Sequence, residues 1–85
     1  MRCEAGCLAR SLAGHDKDEY YIILSDEGRF VTVADGNART VSAPKRKNKR
    51  HIQADRTPLV DASALTDESI RRALANCKAI TAFRR

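Results

Sequence analysis

Tryptophan is absent from this chain of 85 residues, aromatics are 5% of it, and proline occurs twice. A core without large rings has to be assembled from Ile, Val, Leu and Ala. No run approaches the roughly 18 consecutive apolar residues that cross a bilayer, so no membrane association is expected. The opening Met1-Arg2-Cys3-Glu4 lacks the apolar segment of a secretory signal. Cysteine is scarce and odd in number, at Cys3, Cys7 and Cys77, which is not the even framework of a small secreted domain. Reduced thiols and a cytoplasmic address are the expectation. A zinc site drawing on those cysteines with His15 or His51 lacks a second close-spaced pair, and neither metal nor cofactor is expected.

What is present is positive charge, concentrated in one place. Lys and Arg number 16 against 11 Asp and Glu, a formal net charge of +5. The window Pro44-Lys45-Arg46-Lys47-Asn48-Lys49-Arg50 holds five basic residues and no acid, as many as the whole excess. The rest of the chain is close to neutral. A block of mutually repelling charges costs a small domain more than a mixed surface does, and it fits a polyanion better than a plain solvated face.

Period-two patterning and turn residues fill the first half of the chain. Strands are predicted over residues 7–12, 19–25, 29–34, 38–42 and 51–53. The turns between them carry Gly14, Asp26-Glu27-Gly28 and Asp35-Gly36-Asn37. Tyr20-Tyr21-Ile22-Ile23-Leu24 is apolar on both faces, which predicts a strand covered on both sides. The stretch from Pro44 to Arg50 reads as a basic loop. Five short antiparallel strands suggest a small, strongly bent barrel over residues 1–54, followed by a linker over 55–65. Thr66 then offers an N-cap with Asp67 and Glu68 in the first turn. Ile70, Ala73, Leu74 and Cys77 form one stripe at helical spacing. An amphipathic helix over 66–80 follows, with a frayed tail at 81–85. The fold class expected is mainly β, an SH3-like antiparallel barrel with one C-terminal helix, and the helix is available for self-association or protein contact.

The segment from Gly6 to Ile23, centred on Ala13-Gly14-His15-Asp16-Lys17-Asp18, resembles a KOW motif. The likeness continues through Val33-Ala34-Asp35-Gly36-Asn37-Ala38-Arg39 and Pro44 to Ile52, and covers about residues 6–53. It is similar to short bacterial KOW-domain RNA-binding proteins related to the archaeal and eukaryotic type of large-subunit ribosomal KOW protein. The resemblance implies an SH3-like barrel that binds RNA, with the signature glycine at Gly14 and the basic turn at Lys17. Two positions depart from the pattern. Asp18 stands where such motifs usually carry Gly, and Leu8-Ala9 replaces a pair of valines. Asp tolerates the left-handed region at some cost, so the turn is expected to persist.

Independently of the family, phosphates are bound by Lys and Arg. Lys45, Arg46, Lys47, Lys49 and Arg50 on one loop, with Lys17 and Arg39 on turns, form a candidate RNA surface, flanked by His15 and His51 and shaped by the Gly14 turn. Base stacking has little material: of the four aromatics Tyr21 and Phe30 are assigned to the core, which leaves Tyr20, at the edge of the motif, and Phe83. Recognition of folded RNA through backbone and shape is therefore expected, with ribosomal RNA of the large subunit as the partner the resemblance implies. No nucleophile, base and orienting group occur together, so an enzyme is not expected. The competing reading is an SH3-like protein-interaction module, or a transcription-elongation-type KOW adaptor, binding an acidic partner.

Overall fold

The structure, a computed structural model, describes residues 3–83, and of residues 78–83 the backbone alone. Five strands, β1 (Cys7–Ser11), β2 (Tyr20–Asp26), β3 (Phe30–Ala34), β4 (Lys45–Asn48) and β5 (Ile52–Pro58), precede the helix α1 (Asp67–Phe83). They form one antiparallel sheet in the order β4-β3-β2-β1-β5. The sheet is not closed by hydrogen bonds. Its two edge strands are nevertheless consecutive in the chain, joined only by a 3-10 turn at Lys49–His51. Three residues at about 2 Å rise span roughly 6 Å, so the sheet has to curl until its edges approach, as the expected barrel requires.

Register irregularities supply the bending. The β2–β3 pairing steps from Ile23↔Val33 to Ser25↔Thr32, leaving Leu24 as an extra residue, and the β1–β5 pairing shifts between Cys7 and Ala9. Such bulges kink a strand and increase its twist. They also explain why β2 is apolar on both faces. Tyr21 and Ile23 point into the curl with Cys3, Cys7, Ala9, Val31, Val33 and Ile52. Ile22 points outward with Leu8 and Ala34, where Ile70 and Leu74 of α1 and Val60 cover it. Tyr20, Leu24, Leu65, Ala73 and Cys77 complete that second layer, so the stripe expected from helical spacing is the packing face.

The helix begins where its cap dictates. Thr66 Oγ1 accepts from Ser69 N and Ser69 Oγ accepts from Thr66 N, both at 3.0 Å, a reciprocal capping arrangement. Asp67 in the first turn also accepts from Val41 N at 2.9 Å, and Arg71 donates to Gly36 O at 2.6 Å. Gly36 has φ +82°, and a Cβ there would lie 2.5 Å from Asp67 O. The glycine thus serves the tight turn and the close approach of the helix together.

Three expectations need correction. The basic segment is not a loop: Lys45–Asn48 is strand β4, and the strand expected over 38–42 is replaced by irregular chain with a single bridge, Thr40↔Ala43. Pro44 lies just before that edge strand, where its missing N–H breaks no ladder. The expected linker over 55–65 is largely structured, since β5 runs on to Pro58, Val60 is buried and Asp61 caps a short turn at Ala62–Ala64. The helix continues to Phe83 rather than ending at Ile80; residues 84 and 85 of the expected tail lie outside the described residues. No helix among the described residues is long and apolar enough to cross a membrane.

Candidate nucleic-acid interface

Strand alternation splits the basic segment into two populations. Lys45 and Lys47 pair opposite Val33 and Val31, both core residues, and side chains opposite one another share a face. Their ammonium groups therefore enter the curl rather than solvent, and Lys47 is 8% exposed. Both end on one carboxylate. Asp16 Oδ2 lies 2.8 Å from Lys45 Nζ and Asp16 Oδ1 lies 3.1 Å from Lys47 Nζ. Ser11 Oγ donates to the same Oδ1 at 2.8 Å, and the Tyr21 hydroxyl to Oδ2 at 3.1 Å. Lys47 also donates to Ala13 O at 3.3 Å.

This cluster stitches edge strand β4 to the β1–β2 loop, residues 12–19. Burial disfavours the ionised Asp16, but hydrogen bonds from Lys45, Ser11, Lys47 and Tyr21 outweigh it and hold the carboxyl well below the usual range. The same contact acts in reverse on Tyr21, whose hydroxyl is pushed up to about 12 by burial and the adjacent carboxylate. Among the described residues every buried side-chain N or O atom finds a partner, the ion cluster included.

The remaining members of the run divide again. Lys49 Nζ lies 2.7 Å from the Asp26 carboxylate, which also accepts from Cys3 N and Gly28 N. Those two backbone N–H groups and Lys49 hold Asp26 below the ordinary carboxylate range. Arg46, on the outer face, lies over the ring of Phe30 at 4.1 Å. Arg50 is exposed. Phe30 is thus not a core residue as expected; it lies half-buried on the outer face, whereas Tyr21 is in the core.

Two residues of the 12–19 loop adopt the left-handed conformation. Gly14 has φ +87° and Asp18, at the position where Gly is usual, has φ +71°. Asp18 N donates to Ser11 O at 2.8 Å and its carboxylate meets Arg10 at 2.9 Å, which fastens the left-handed residue. Lys17 and His15 are exposed on this loop. Leu12 N donates to His51 O at 2.8 Å, bringing His51 beside it. In the third turn Asp35 Oδ1 accepts from Asn37 N and Arg39 N, both at 2.9 Å, and Arg39 is exposed.

Register assigns these turns to one end of the sheet. Arg10↔Tyr20, Ile22↔Ala34 and Ser11↔Ile52 put the 12–19 loop, the 35–39 turn and the entry to β5 at that end. Among the described residues, His15, Lys17, Arg39, Arg50 and His51 make no side-chain hydrogen bond or ion pair. Glu19 and Asp35 line the cleft between β2 and α1 at this end, so acids as well as cations stand there. Of the ten residues expected to contact RNA, the structure leaves these five side chains available. It spends Lys45 and Lys47 on Asp16 and Lys49 on Asp26, rests Arg46 on Phe30, and uses Gly14 for the turn.

Sequence reading overlooked Asp16 as the organiser of the site. A signal was there, an acid in a short turn of a chain with an acid-free basic run, but nothing local shows that the two meet. Burial raises the pKa of Cys3 and of Cys7 and so disfavours their thiolate forms. No three His, Cys, Asp or Glu among the described residues are arranged to hold a metal ion. No family model matches the chain, and no curated protein matches it.

Proposed function

We propose that the protein is a cytoplasmic RNA-binding domain of KOW type that associates with the translation machinery through ribosomal RNA of the large subunit. The observation that carries the reading is the group of exposed, internally unpartnered side chains: His15, Lys17 and Arg39 on turns at one end of the sheet, and Arg50 and His51 in the 3-10 turn that leads into β5. Phosphates need charge that is not already satisfied. The Gly14–Asp18 turn, whose left-handed residues match the motif, supports the family reading from which the ribosomal partner comes. Cations on rigid turns suit phosphates fixed in a folded RNA better than a flexible strand. The sheet underneath supplies that rigidity, because the Asp16 cluster holds the loop to β4.

The test is equilibrium binding to ribosomal RNA as a function of salt, with gradient sedimentation of the protein alongside large subunits. Three contacts from Lys17, Arg39 and Arg50 predict a log-salt slope of roughly −2 to −3, at about 0.7 to 0.9 per phosphate. Replacing these three by Ala flattens that slope and releases the protein from large subunits at low salt. Absence of binding by the unaltered protein at low salt, together with capture of an acidic protein surface, would establish the interaction-module reading instead.

A further inference from the structure

We propose that Arg46 and Phe30 form a stacking site for one unpaired nucleobase, on a face separate from the phosphate-binding turns. The inference rests on the RNA reading and adds to it what part of the RNA this face takes.

Phe30 of β3 and Arg46 of β4 lie on the outer face of the sheet, with Thr32 opposite Arg46 and Asn48 opposite Phe30. Among the described residues, the side chains of α1 pack against the part of that face formed by Leu8, Ile22 and Ala34. The Arg46 guanidinium rests on the Phe30 ring at 4.1 Å, while its side chain remains 62% exposed. Glu27 Oε1, 3.8 Å from Arg46 Nε, steadies it from the side. The ring takes part of the planar cation's surface, and most of the side chain remains open to solvent.

Charge decides what the open surface takes. Glu27 beside Arg46 offsets its positive charge and repels an incoming phosphate, so this spot is poor for the RNA backbone. A neutral flat ring suffers no such repulsion, and guanidinium planes stack on bases. Because the arginine is already held, ordering it on binding costs less than ordering a free side chain. The hydroxyls of Ser25 and Thr32, paired at 2.6 Å, and the Glu27 carboxylate offer polar partners at the rim for the edge of the base. Arg29, exposed next to Phe30 in the chain, offers charge to the phosphate flanking that base.

The experiment uses the full chain and two RNA hairpins, one with a single bulged adenine and one with an abasic sugar at the bulge. The adenine hairpin is expected to bind about fivefold more tightly or better, since one stacked base contributes at least that much. Arg46→Lys, which keeps the charge and loses the plane, should erase the difference, and Phe30→Leu should reduce it; both should leave the salt slope of the abasic hairpin unchanged. Equal affinity of the unaltered protein for both hairpins, with a salt slope intact, overturns the stacking site and leaves the RNA reading standing. No binding to either at low salt overturns both. Adenosine monophosphate titrated into the free protein gives a check without RNA: ring-current shifts at Arg46 Nε–H and Phe30 are expected, and their absence overturns the site.

Discussion

Lys45 and Lys47 turn into the curled sheet and end on Asp16, whereas Lys17, Arg39 and Arg50 stand on turns with no partner among the described residues. All are exposed-looking cations in sequence, and they do opposite jobs. The inner pair shares one carboxylate, so most of its charge is spent on holding a loop to an edge strand. The outer set contributes almost nothing to the fold and keeps its charge for a ligand. A basic run therefore does not measure the strength of an anion site. Only the cations left over after internal pairing do.

That contrast can be broken experimentally in several ways, beginning with the largest effect. Asp16→Ala leaves Lys47 buried without its counter-ion and removes the acceptor for Ser11 and Tyr21. Breaking a buried pair from one side costs about 3 to 5 kcal/mol, to be read as a lowered urea midpoint. Lys47→Ala leaves Asp16 with Lys45, Ser11 and Tyr21, and should cost less, about 2 kcal/mol. Changing Asp16 and Lys47 together to apolar residues is expected to be milder than the sum, which a double-mutant cycle measures.

Acid sharpens the same contrast. Asp16 and Asp26 both stay ionised in the folded protein below the pH where an unfolded aspartate, near 3.9, takes up its proton. The unfolded chain then binds more protons than the folded one, so stability is level above roughly pH 5 and falls as pH drops through 4 and below. Asp61, which accepts from the Ser63 hydroxyl and N–H, adds to the same fall, and in Asp16→Asn the fall should be shallower because one of these carboxylates no longer titrates. At the alkaline side Tyr21 keeps its proton to about 12, while an unfolded tyrosine loses it near 10. Stability should therefore decline above pH 10, and a Tyr21→Phe variant should lack that part of the decline.

The smallest expected effect on the fold is the most informative about function. Lys17→Ala, Arg39→Ala and Arg50→Ala should each change stability by less than about 0.5 kcal/mol, as exposed substitutions without partners usually do. Thermal unfolding checks this. A loss comparable to that of Lys47→Ala would show that the outer cations are structural too, and would remove the distinction between the two sets.

Much of the architecture was legible because it is local. The doubly apolar β2, the Thr66 cap, the Ile70–Cys77 stripe and the left-handed turn at Gly14 each follow from a few neighbouring residues. The basic segment was misread because alternation in Lys-Arg-Lys-Asn is invisible to a hydrophobic pattern: each residue is polar, yet Lys45 and Lys47 face Val33 and Val31 in the core. Lysine's long apolar stem allows this, provided its terminal charge meets a counter-ion. Phe30 was misassigned for the converse reason. An aromatic residue is assumed to be buried, but Phe30 alternates with Val31 and Val33 of the core and so shares the outer face with Thr32.

Local sequence was enough for β1, β2, β3 and α1 and for the turns between the first three strands, because propensity, capping and turn chemistry act over a few residues. It also determined how much positive charge the chain carries. Which charges remain available was decided by tertiary structure alone. Asp16 lies 29 positions before Lys45 and 31 before Lys47 in the chain, and only the curl of the sheet brings the loop against the edge strand. At contact distance, with water excluded, a carboxylate and two ammonium groups interact far more strongly than they do in the unfolded chain, so folding itself chooses which cations are consumed and which are offered.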